Sequence, residues 1–113
     1  PDSIEKKTVD RWWIIKDQIK LAGAEFHGYW FDSSVRSASP NVYASWYELP
    51  AGSPYRYLIV AGNLGRDNRK LALAHTLPNV SSYYDLWNGK AMTMSDLQNT
   101  LIPGNHFALI GVK

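Results

Sequence analysis

The 113-residue chain is 45% hydrophobic and 19% charged, carries a formal net charge of +2 and contains no cysteine. That is the composition of one ordinary globular domain, large enough to bury a core without metals or disulfides. Thiolate zinc sites, thiol nucleophiles and disulfide frameworks are excluded. The basic residues are dispersed rather than gathered into a stripe, which argues against nucleic acid as a partner. The longest apolar runs fall far short of the ~20 residues that span a bilayer, and no leader pattern occurs at Pro1.

Asp2 is a good N-cap and Glu5, three positions on, can complete a capping box, so the spacing predicts a helix from Ser3 that ends where Gly23 supplies a left-handed terminus. Val9, Trp12, Ile15, Ile19 and Ala22 recur at the helical period. Trp13 and Ile14 widen the apolar face beyond what one small sandwich would cover, which points to a neighbour. The opening Pro1-Asp2-Ser3 runs directly into this helix and reads as a cut through a longer polypeptide.

After Gly23 the period falls to two, and Gly and Pro punctuate the chain about every ten residues. Strands are predicted at 25–30, 42–49, 55–63, 70–76, 82–87, 97–102 and 107–112, with one extended loop at 32–40. Leu58-Ile59-Val60-Ala61 is apolar on both faces and belongs in the middle of a sheet. Asn88-Gly89 favours a type I′ hairpin turn, and the Asp85 carboxylate beside it can accept backbone amides and fix that turn. The expected fold is mainly β: a two-layer antiparallel β-sandwich of about seven to eight strands over residues 24–113, preceded by one N-terminal α-helix over residues 1–23.

Catalytic patterns are missing. Glycoside hydrolysis needs two carboxyl groups facing each other about 5 to 10 Å apart. Asp2, Glu5, Asp10 and Asp17 belong to a helix surface, Asp67 and Asp96 to turns, and Glu25, Glu48 and Asp85 to strands with no evident convergence. His27, His75 and His106 have no i, i+2 or i, i+4 partner, so a metal site would have to be assembled by the fold alone. No Gly-x-Ser-x-Gly elbow, Walker or dinucleotide pattern occurs. No catalytic residue, metal ligand or cofactor is assigned. Aromatic residues are the functional candidates, since flat rings stack on the apolar faces of sugars. Trp46, Tyr47 and Trp87 are the candidates for sugar stacking; Trp12, Trp13 and Trp30 are those for docking on a neighbour.

Several stretches together resemble the C-terminal antiparallel β-domain that follows the (β/α)8 barrel in many glycoside hydrolases, the α-amylase and α-galactosidase groups among them. They are Leu58-Ile59-Val60-Ala61-Gly62-Asn63-Leu64, the alternating Leu71-Ala72-Leu73, the Tyr84-Asp85-Leu86-Trp87-Asn88-Gly89-Lys90 hairpin, and the Pro103-Gly104 turn leading into Phe107-Ala108-Leu109-Ile110. The segment from Asp17 to Trp30 is similar to a last barrel helix and its exit into the sandwich. The resemblance implies a non-catalytic accessory domain, packed on an upstream catalytic barrel of the same polypeptide in a secreted or periplasmic glycosidase. It carries no acid or nucleophile onto any position here. A carbohydrate-binding module using exposed aromatics and an immunoglobulin-like protein-interaction domain are the two other readings.

Overall fold

The computed structural model describes residues 2–29 and 34–113, with the side chains of the first helix described from Asp10 onward. The chain is mainly β: the described residues form ten antiparallel strands, the N-terminal helix α1 (Asp2–Gln18) and a second short helix α2 (Met94–Asn99). No described helix is long and apolar enough to cross a membrane.

The largest sheet is built from β1 (Glu25–His27), β3 (Val42–Glu48), β4 (Tyr57–Asn63), β7 (Tyr83–Asp85), β8 (Lys90–Met92) and β10 (Phe107–Val112). Their order is β1-β3-β4-β10-β7-β8. The uninterrupted apolar run of β4 has a physical cause, because this strand lies between β3 and β10 and both of its faces are covered. Tyr57, Ile59 and Ala61 join Val42, Ala44, Trp46, Ile110 and Val112 in the main core. Leu58 points the other way and, with Leu49 and Leu109, receives Ile15 of α1 and Ile19 just beyond its end. Ile19 is 1% exposed, and burying a side chain of that size contributes about 1.5–3 kcal/mol.

The layer over the main core is made of short pieces. One ribbon pairs β2 (Val35–Ser37) with β6 (Leu73–His75), and another pairs β5 (Arg69–Lys70) with β9 (Leu101–Ile102). Together with α2 these pieces bring Val35, Leu71, Leu73, Leu97 and Ile102 onto the large sheet.

Five local expectations are corrected. The first helix ends at Gln18, because Lys20 rather than Gly23 takes the left-handed conformation (φ 58°) and a 3-10 turn, Leu21–Gly23, leads into β1. Residues 97–102 hold the end of α2 and then β9: the Thr93 hydroxyl accepts from the Asp96 amide while the Asp96 carboxylate accepts from the Thr93 amide, a capping box that starts a helix where period two was read. The loop at 32–40 contains β2, and the strand at 70–76 is divided by Ala72 at φ 44°. Between β7 and β8 only Gly89 has positive φ, so the connection is a four-residue loop closed by Gly89 N–H donating to Asp85 O, not a two-residue type I′ turn.

Candidate functional site

The edge of the large sheet brings together residues that are far apart in sequence. In the β1–β3 register Glu25 lies opposite Glu48, Phe26 opposite Tyr47 and His27 opposite Trp46. Alternation along the strands then sends Glu25, His27, Trp46 and Glu48 to one face and Phe26 and Tyr47 to the other.

On the first face Trp46 enters the core, and the His27 ring lies flat against it, with centroids 3.9 Å apart and planes 8° apart. His27 Nε2 is 3.8 Å from Glu25 Oε1. One ligand atom from each of Glu25, His27 and Glu48 falls within 4.8 Å of the others. The two glutamates therefore converge, contrary to the sequence expectation, because the strand register rather than the local spacing sets their distance. Both are exposed at an open sheet edge, without the enclosed cleft that surrounds a glycosidase acid pair. Glu48 also borders an open hollow of about 610 Å³ at the end of the sheet, which Tyr55, Arg56 and Lys113 line as well.

On the opposite face Phe26, Tyr29, Tyr43, Tyr47 and Phe107 line a shallow hollow of about 210 Å³. Phe26 and Tyr47 rings lie 4.9 Å apart, and so do those of Tyr29 and Tyr43. Phe107 faces Gly62 across the β4–β10 pair, and a Cβ at Gly62 would stand 3.0 Å from the ring, so the absence of a side chain lets Phe107 lie across the strand. Phe107 nevertheless remains 65% exposed. The Ser45 hydroxyl lines the same hollow and accepts from Tyr29 N–H at 3.1 Å.

Of the three residues singled out for sugar stacking, only Tyr47 lines this aromatic hollow. Trp46 is 8% exposed and stacked on His27, which leaves no ring face for a ligand. Trp87 is half-buried at a separate hollow between α1 and the Leu86–Gly89 loop, and the Arg11 guanidinium lies 5.0 Å over its ring. Phe26, Tyr29, Tyr43 and Phe107 were missed; the signal was the period of two, which turns Tyr43, Ser45 and Tyr47 away from the core occupied by Val42, Ala44 and Trp46.

For docking, Trp12 is half-buried against the sheet through the α1 cluster, whereas Trp13 is 61% exposed, with Lys16 Nζ 4.4 Å from its ring. Ile14 beside it is exposed too. Trp30 lies outside the described residues.

Two further polar groups are structural. Asn63, fully buried, donates through Nδ2 to the carbonyls of Asp67 and Ile102 and accepts at Oδ1 from Gly65 N–H. His75 contacts the Tyr83 hydroxyl through Nε2 at 2.6 Å; burial holds the imidazole below its ordinary pKa and raises the Tyr83 phenol. Comparison with protein-family models, curated proteins and solved structures gives no match for this chain.

Proposed function

We propose that this chain is a non-catalytic accessory β-domain of a glycoside-hydrolase-like protein, which packs on its catalytic partner through the outward side of α1. The observation that carries the packing role is the division of that helix. Ile15 and Ile19 are buried against the sheet while Trp13 and Ile14, on the same short stretch, stand in solvent. A tryptophan and an isoleucine side by side at more than half exposure are what an interdomain seam uses. The glycosidase assignment rests on the resemblance of the β4 run, the Tyr84–Lys90 hairpin and the closing Pro103-Gly104 turn. The test compares this chain with a longer polypeptide in which a barrel precedes it. Trp13→Ala with Ile14→Ala is expected to lower the thermal midpoint of the longer protein and to leave the isolated chain nearly unchanged; equal effects in both would sink the reading.

A second reading, carbohydrate binding by this same domain, is favoured by the aromatic hollow of Phe26, Tyr29, Tyr43, Tyr47 and Phe107. Five rings around a serine hydroxyl offer both the stacking planes and a polar edge that a sugar ring uses. Calorimetric titration with a panel of soluble glycans would show saturable binding that Tyr43→Ala and Phe107→Ala abolish. Absence of heat across the panel leaves packing as the function.

A further inference from the structure

We infer that Glu25, His27 and Glu48 form a binding site for one divalent transition-metal cation, best matched by zinc, which clasps the edge strand β1 to β3. The three side chains meet because the antiparallel register places Glu25 opposite Glu48 and sets His27 two residues along the same face. Their candidate ligand atoms lie within 4.8 Å of one another. Ligands at about 2.0–2.2 Å from zinc stand about 3.4 Å apart in a tetrahedron, so the set closes by a shift of about an ångström. Glu25 and Glu48 are both exposed, so rotation about their side-chain bonds can supply that shift.

Two separate observations favour a cation here over an ordinary charged edge. Like charges placed directly opposite on paired strands destabilise the pair, whereas a divalent ion between them turns repulsion into attraction. His27 is already oriented: its ring is stacked flat on Trp46, which is itself held in the core, and a fixed imidazole is the part of a metal site that is hardest to organise. One nitrogen and two carboxylate oxygens suit zinc, while calcium takes six to eight oxygens and magnesium a near-ideal octahedron of them. A fourth position is left for water. Since β1 is the edge strand that follows α1, such an ion would tie the helix end to the sheet.

The experiment uses this chain without an affinity tag, stripped with a chelator and titrated with zinc chloride by calorimetry and by thermal scan. One ion per chain is expected, with the midpoint of unfolding rising as zinc is added. Glu25→Gln, Glu48→Gln and His27→Gln should each weaken binding by at least about tenfold, while His75→Gln and His106→Gln leave it unchanged. A metal-free readout separates this site from a merely structural patch: Glu48→Gln should hold or raise the midpoint without zinc, because it relieves repulsion, and lose the rise with zinc. No saturable binding at millimolar zinc, or binding that survives both glutamate replacements, overturns the proposal.

Discussion

The Asp85 carboxylate accepts two hydrogen bonds from Asn88, one from its backbone amide and one from its side-chain amide, each at 2.9 Å. Asp85 is 9% exposed, and its own carbonyl accepts from Gly89 N–H at 2.8 Å, so one residue closes the whole loop between β7 and β8. Hydrogen bonds to a charged group contribute about 1.5–3 kcal/mol. Asp85→Ala is therefore expected to lower unfolding stability by about that amount in urea titrations, and Asn88→Ala by less, since the backbone amide would keep its acceptor. A loss below about 0.5 kcal/mol for Asp85→Ala would show that the clasp is not holding the loop.

The role of Asp85 was readable because its loop-closing partners, Asn88 and Gly89, lie within four residues. The same holds for β4 and β10, where a run of aliphatics reports burial directly. What stayed hidden depends on register or on coverage. Glu25 and Glu48 are 23 positions apart and meet only when β1 pairs with β3. The aromatic hollow exists because α1 covers the outer sheet face around Leu58 and Leu109 and leaves the end near Gly62 open; which part of a face is covered is decided by packing, not by period. Trp46 looked like an exposed ring because aromatics fill both faces of β3, although the alternation with Val42 and Ala44 already placed it inward.

Asn63 replaces three backbone contacts that the chain around it cannot make for itself. Its Nδ2 serves the Asp67 and Ile102 carbonyls at 2.8 and 2.9 Å, and its Oδ1 serves the Gly65 amide at 3.0 Å. Leaving a buried polar group without a partner costs about 1–3 kcal/mol, so Asn63→Ala should cost at least about 2 kcal/mol. Asn63→Asp should fail as well, because a carboxylate cannot donate to two carbonyls. Denaturant unfolding measures both, and recovery of wild-type stability in the aspartate variant would contradict the assignment.

The capping box at Thr93 has a second consequence, since α2 is only six residues long and carries Leu97 into the main core. A helix this short depends on its cap and its buried anchor more than on propensity. Thr93→Ala is expected to destabilise the chain by about 1 kcal/mol, and Thr93→Ser to retain most of the wild-type stability. Equal losses for the two would mean that the threonine methyl, not its hydroxyl, matters.

His75 predicts how stability varies with pH. Its Nδ1 accepts from Leu77 N–H at 3.2 Å, which fixes the neutral tautomer with the proton on Nε2, donated to the Tyr83 oxygen at 2.6 Å. Protonating Nδ1 would set a donor against the Leu77 donor, and burial independently disfavours the cation, so the folded imidazole titrates below its ordinary value near 6.5. The unfolded chain then binds a proton at higher pH than the folded chain does. The stabilisation is complete above about pH 6.5 and is lost as pH falls from there through the lowered folded value. Urea midpoints at pH 7.5 and 5.5 should differ more for the wild type than for His75→Gln, whose side chain does not titrate. An unchanged difference in the variant would assign the acid sensitivity to other groups.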